Sequence, residues 1–397
     1  MIATPEGPRA TLELDLAQHG RRGPAELYAS LRDLLSAPPS APEACLVVAT
    51  SGSTGAARRV RVPAHALRAS GEATAARLGG HGQWLLALPT DHVAGAQVVA
   101  RSVLAGTDPV AVPLDQGFRS AVFAAAARTL TGRRRYTSLV PTQLHRILED
   151  AREGDDAGLV AARTLDAVLV GGAATSPSLL HAARDAGVPV VTTYGMSETA
   201  GGCVYDGTPL DGVGLRVRDG RIEVSGPVLA DGYDGDDDAT RAAFVTDAGR
   251  RWFRTSDLGE ITTGPDGSPV LRVLGRADDV LVSGGVNVSP AAVEALLTGW
   301  GPLRDVCVVG VPDEAWGTRV VAVVTLAPGA PRARIAHLLP QVRARVTDTL
   351  GAPAAPREIV PVGELPLRGP GKVDRRAATE IATRHLAASR PSTDAER

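Results

Sequence analysis

The chain has 397 residues, of which 44% are hydrophobic and 22% charged, with a formal net charge of −2. Length and apolar content exclude global disorder and predict more than one folded domain. The balanced charge excludes a global basic field for nucleic acid or membrane, and no apolar run reaches the length of a membrane span.

The first 40 residues are polar and Pro-rich, ending in SAPPSAPEA, and predict a loop or linker. The opening MIATPEGPRATLELDL has no basic start before an apolar core, so no signal peptide is expected. CLVVA (45–49) predicts a buried strand, followed at once by TSGSTG. WLLALP (84–89), PVAVP (109–113) and YTSLV (136–140) predict further strands. Helical patterns fill 63–78, 93–105, 117–130 and 141–152 between them. LDAVLVGG (165–172) and VPVVTTYG (188–195) are two more strands around a helix that starts near Ser176 and Pro177. This alternation predicts an α/β fold with mostly parallel sheets and flanking helices.

After about residue 205 the pattern changes. Asp219-Gly220 between two alternating runs is a hairpin signal, and a second hairpin is expected around Pro265-Asp266-Gly267. A β-rich subdomain therefore follows the parallel sheet. Beyond it, a helix at 290–298, strands at 305–311 and 319–326, a helix at 333–349 and a strand at 357–361 predict a small α+β domain. The last segment, SRPSTDAER, is expected to be disordered.

Cys45, Cys203 and Cys307 are far apart and show no metal-ligand spacing, which fits a reducing compartment and predicts a cytoplasmic protein. Of the 42 Lys and Arg residues, Lys372 alone is lysine. A codon bias accounts for the excess of Arg, whose planar fork serves any surface charge. A compact ammonium kept at one place points to a single developing charge, although chance retention explains it equally.

Several loops carry chemistry-bearing residues. Thr50, Ser51, Gly52, Ser53, Thr54 and Gly55 follow a strand, and their small side chains and N–H and hydroxyl groups suit phosphate oxygens. Arg58 and Arg59 follow where a Walker A loop would have Lys, and a plain flexible turn is the alternative. His92, in LPTDHVAG, stands where a strand passes into a helix and would serve equally as a structural residue. Gly171, Gly172 and Ala173 follow one apolar strand, and Tyr194, Gly195, Met196, Ser197, Glu198 and Thr199 follow another. Ligands bind at such carboxyl ends in doubly wound sheets. A Tyr stacks on a purine, and a carboxylate among phosphates suits a shared Mg²⁺, or else a helix N-terminus. Asp257 and Arg276 suit the two hydroxyls of a ribose, though each taken singly fits a surface ion pair.

The ordered series TSGSTG, LPTDHVAG, YGMSET, WFRTSD, GRADDVLVSGGVNVSPAAVE and LRGPGK resembles the acyl-adenylate-forming superfamily of acyl-CoA synthetases, adenylation domains and luciferases. The resemblance covers about residues 45 to 375, and the chain is short for that superfamily at its N-terminal side. HVAGAQVVAR, LVPTQLHRIL and YGMSETAGG are most similar to the o-succinylbenzoate:CoA ligases of menaquinone biosynthesis. Three positions depart from the pattern. Ala57-Arg58 replaces Pro-Lys after the phosphate loop, Ser197 replaces the Thr before the glutamate, and Ser256 replaces the Gly before the ribose aspartate. Charge and hydroxyl are kept at two of them, so retuned ATP handling is expected rather than loss of activity.

The resemblance implies an N-terminal adenylation domain over 1–277 and a mobile C-terminal domain over 278–397 carrying the catalytic Lys372. It implies ATP, Mg²⁺ and CoA acting on a small carboxylic acid in two half-reactions, and a homodimer. The 50–55 loop and Arg58 would hold the β- and γ-phosphates, with Glu198 on Mg²⁺ and Ser197 and Thr199 at the phosphates. Gly171, Gly172, Ala173, Tyr194 and Gly195 would enclose adenine, and Asp257 and Arg276 would bind ribose. His92 would line the acid pocket, with Arg101, nine residues on, as the cation for a second carboxylate; an Arg on the helix surface is the alternative. Asp278 would be the hinge, and Gly284 and Gly285 would flank the CoA channel. Other aryl or medium-chain acids, or a carrier-protein thiol as acceptor, are the competing expectations.

Overall fold

In the computed structural model, residues 13–15, 23–36, 44–50, 58–265, 267–327, 329–330, 335–367 and 373–388 are described. The tail expected to be disordered lies outside them. Short apolar runs form the middle of a seven-stranded sheet. Val190–Met196, Ala167–Val170, Arg135–Leu139, Gln83–Leu86 and Val110–Ala111 run parallel in that spatial order. Gly201–Tyr205 and Thr208–Pro209 close one edge antiparallel. Period two sorts the side chains: Trp84, Leu86, Ala167 and Leu169 join one core, whereas Leu85, Val168 and Val170 join another. Helices such as Val93–Ala105 and Pro141–Arg152 cover the two faces, as crossover connections require.

The early chain departs from expectation. Part of the expected linker is the helix Pro24–Ser36, with Leu27, Leu31, Leu34 and Leu35 buried. Their spacing of one helical turn makes a continuous apolar stripe, which the Pro-rich flanks obscured. CLVVA does not enter the parallel sheet either. It pairs parallel with Glu13–Asp15 on one side and antiparallel with Arg59–Pro63 on the other. RVRVP is an alternating strand whose Arg59 reaches Asp15 and Asp234 at 2.7 and 2.9 Å.

The β-rich block is a five-stranded sheet around the long strand Arg250–Thr263. Asp219 and Gly220 both have positive φ, as a type I′ turn demands, and Arg218 pairs with Arg221 across them. Strands Leu303–Asp313 and Gly317–Leu326 form a three-stranded sheet with Glu358–Pro361. Its two faces bury separate sets, Val306, Val308 and Val324 on one and Val309, Val321 and Val323 on the other. Each such Val contributes roughly 1.5–3 kcal/mol, so this small α+β unit has a core of its own.

Candidate active site

Loops at the carboxyl ends of the parallel strands open into one cavity of about 1270 Å³. Among the predicted residues, Thr50, Arg58, His92, Arg101, Gly171, Gly172, Gly195, Ser197, Glu198, Asp257, Arg276 and Asp278 line it. The small unit supplies the facing wall with Val373, Asp374, Arg375 and Arg376.

At one corner the hairpin 45–63 closes. The Thr50 N–H donates to the Arg58 carbonyl at 2.7 Å, and the Arg58 N–H donates to Thr50 Oγ1 at 3.2 Å. Ser51, Gly52, Ser53, Thr54 and Gly55 lie outside the described residues, between these two ends. The Arg58 guanidinium stands 5.1 Å from the ring centroid of Tyr233, whose hydroxyl donates to Glu198 Oε1 at 3.0 Å. Burial holds the Glu198 carboxyl above its ordinary value, against the downward pull of Tyr233, Arg276 and Arg58. A cation entering here would restore the charge. Among the described residues, no cluster of three His, Cys, Asp or Glu could hold a metal alone. One half-buried carboxylate beside the Arg58 guanidinium and the predicted phosphate loop fits Mg²⁺ shared with a substrate's phosphates.

Thr199 departs from its expected place. It is fully buried, and its hydroxyl is taken up by Met196 N–H at 2.9 Å and the Gly201 carbonyl at 2.8 Å. It holds the turn, and Ser197 faces the cavity instead. Tyr194 likewise points below the cavity wall and donates to Asp257 Oδ2 at 2.8 Å. Burial raises the Asp257 carboxyl, while Tyr194 and Arg276 counteract it. Asp257 and Arg276 are cross-strand partners, so the two predicted ribose groups do meet. Gly171 is backed by Thr193, whose Oγ1 lies 2.2 Å from where a Cβ would stand. That packing requires glycine. Ala173 is exposed and does not line the cavity.

The third corner is less polar. His92 caps the helix Val93–Ala105, and Gly95 lets that helix start against the strand end, since a Cβ would fall 2.0 Å from the Pro89 carbonyl. Arg101 is only 5% exposed, so it is not a helix-surface residue. Its Nη2 donates to Tyr205 Oη at 3.2 Å and its guanidinium lies 5.0 Å from the Trp84 ring centroid, but Nε has no partner. One turn earlier, Gln97 donates to the Ala200 carbonyl at 2.5 Å and leaves Oε1 unpartnered. Burial pushes the Cys203 and Cys307 thiols up to about 12, and neither lines the cavity.

Lys372 lies outside the described residues. Its flanks are fixed, because Leu367 bridges Val373 and the Asp374 N–H donates to the Pro366 carbonyl at 2.7 Å. Val373, the residue after Lys372, lines the cavity. Asp278 Oδ2 lies 3.5 Å from Arg276 Nη2 in the short turn Ala277–Asp279. Gly284 and Gly285 form the tip of the hairpin made by Leu281–Ser283 and Val286–Val288, and they are exposed outside the cavity. The Gly284 N–H donates to the Trp316 carbonyl at 2.9 Å. Sequence reasoning missed Tyr233 and Tyr205, which reach the site from elements with no local motif, and Gln97, which lies inside HVAGAQVVAR between His92 and Arg101.

Residues 5–233 match the family model of the AMP-binding enzyme, and residues 292–372 match that of the AMP-binding enzyme C-terminal domain. The chain belongs to the AMP-binding enzyme family. It is 46% identical to the probable 2-succinylbenzoate–CoA ligase of Mycobacterium tuberculosis over 84% of each chain. It is 31% identical to the 2-succinylbenzoate–CoA ligase of Salmonella typhimurium, over 83% of this chain and 67% of that one. Among solved structures, it resembles the o-succinylbenzoate CoA synthetase of Bacillus subtilis in complex with the acyl-adenylate intermediate OSB-AMP. There the TM-score is 0.67 and the identity 26%, over 84% of this chain and 68% of that one. An amide bond synthetase from Marinactinospora thermotolerans matches with a TM-score of 0.70 and 26% identity, covering 85% and 70% of the two chains. Fold likeness alone therefore leaves the acceptor open.

Proposed function

We propose that this enzyme joins 2-succinylbenzoate to CoA through an acyl-adenylate, as in menaquinone biosynthesis. The observation that carries the reading is Arg101, a buried guanidinium in the acid corner with an unpartnered Nε. A monocarboxylic aryl or fatty acid would leave that group without an anion. A second carboxylate would complete it, directly or through water. The names of the Mycobacterium and Salmonella relatives point to the same acid.

The difficulty of the first half-reaction is mutual repulsion between a carboxylate and an anionic α-phosphate. In this reading Lys372 relieves it by contacting both, which neither a distant Arg nor the cavity floor would do. Arg58, Thr50 and the 51–55 loop hold the outer phosphates, with Ser197 nearer the α-phosphate. Bound Mg²⁺, held by Glu198, would offset phosphate charge. Gly171 and Gly172 leave room for adenine, and Asp257, steadied by Tyr194 and facing Arg276, takes the ribose hydroxyls. His92 lines the acid pocket. For the second half-reaction, the unit from about residue 278 onward turns about Asp278 and brings Gly284 and Gly285 to the thiol of CoA, which displaces AMP. A homodimer and a cytoplasmic location belong to this reading; light scattering and cell fractionation test them.

Mass-spectrometric detection of products from ATP, Mg²⁺, CoA and a panel of acids decides the substrate. The expected product is 2-succinylbenzoyl-CoA with AMP. Conversion of other acids alone would overturn the substrate, and transfer only to a holo-carrier protein would overturn the acceptor.

A further inference from the structure

The hinge turn and the helix that follows Lys372 in the chain are joined by charge. Ala277–Asp279 carries two adjacent carboxylates that face different Arg residues. Asp278 faces Arg276, cross-strand neighbour of the ribose aspartate, at 3.5 Å. Asp279 Oδ2 faces Arg375 Nε, also at 3.5 Å. Arg375 opens the helix Arg375–Ala388, three residues past Lys372. The same guanidinium donates to Glu294 Oε1 at 2.6 Å, to Glu294 Oε2 at 3.3 Å and to the Val308 carbonyl at 2.5 Å. One Arg thus ties the start of this helix to a second helix, to the strand Leu303–Asp313 and to the hinge turn.

We propose that Arg375, through its pair with Asp279, is a positioning residue for Lys372 in the adenylation half-reaction. The inference rests on the role given to Lys372 above. A charge delivered by a movable unit acts only if its support fixes it closely, and a misplacement of about 1 Å costs on the order of 10²-fold in rate. The Glu294 fork docks the helix within its own unit. The Asp279 contact is the one that refers that helix to the pivot.

Asp279→Asn tests this, because it weakens the pivot contact and leaves the Glu294 fork intact. The wild type is assayed with whichever acid it converts, so the choice of acid bears only on the substrate reading. We expect acid-dependent ATP–pyrophosphate exchange to lose about tenfold in kcat with KM for ATP unchanged. Thioester formation from supplied acyl-adenylate and CoA should stay within about twofold, and Asp279→Glu should restore most of the exchange rate. Equal losses in both half-reactions would show a merely structural role and overturn the proposal. So would an exchange rate in Asp279→Asn that matches the wild type.

Discussion

The nucleotide wall and the acid corner share one cavity and are built on opposite terms. At the wall, Asp257 receives the Tyr194 hydroxyl and Glu198 receives the Tyr233 hydroxyl, each from within the protein. In the acid corner, Gln97 Oε1 and Arg101 Nε are buried and unpartnered. A wall satisfied in advance is preorganised for a ligand common to the whole family. Polar atoms left open wait for groups that one particular acid brings, since a buried unpaired group is unfavourable until matched. On the proposed reading, selectivity belongs to the acid corner and catalytic readiness to the wall.

On that reading Lys372 serves both regions, so the comparison is tested first there. Lys372→Ala should slow adenylation by about 10²–10³ or more while sparing thioester formation from supplied adenylate, measured by separate half-reaction assays. Arg101→Met should lower kcat/KM for 2-succinylbenzoate by about 10², because truncation removes one partner of a charge pair. Its preference for benzoate-like monocarboxylates should rise, and a uniform loss over all acids would place Arg101 in the scaffold instead. Asp257→Asn should raise KM for ATP by about tenfold, with Tyr194→Phe raising it less, while acid preference stays fixed.

The smallest effect concerns stability. The fold holds the Glu198 carboxyl above its unfolded value, so the native chain binds more protons in that window. Stability falls as pH rises through it and stays lower above. Glu198→Gln should therefore raise Tm at neutral pH, by roughly 1–2 °C for each kcal/mol of burial penalty removed, and raise the Mg²⁺ concentration that exchange needs. A lower Tm would mean that Tyr233 and the nearby Arg residues overcompensate burial.

Local patterns carried much of the fold. Strand runs at 84–89 and 165–172, the Asp219-Gly220 turn and the alternation after residue 300 all reappear as elements. CLVVA is the buried strand its pattern predicts, with one parallel and one antiparallel neighbour. The misreading before it has a local cause as well: Pro-rich flanks hid the Leu stripe of Pro24–Ser36.

The sequence by itself determined the chemistry available: a single lysine in the chain, a Gly and Ser run after a strand, and Glu198, Asp257 and Arg276 within short recognisable runs. Those signals are short-range, because each depends on residue type and spacing within a few positions. Only the tertiary structure decided that Thr199 braces its own turn, that Tyr194 supports Asp257, and that Arg101 is buried with Gln97. Orientation and burial come from elements far apart in the chain meeting at a sheet edge, and no local pattern encodes which side chain the neighbouring element will cover.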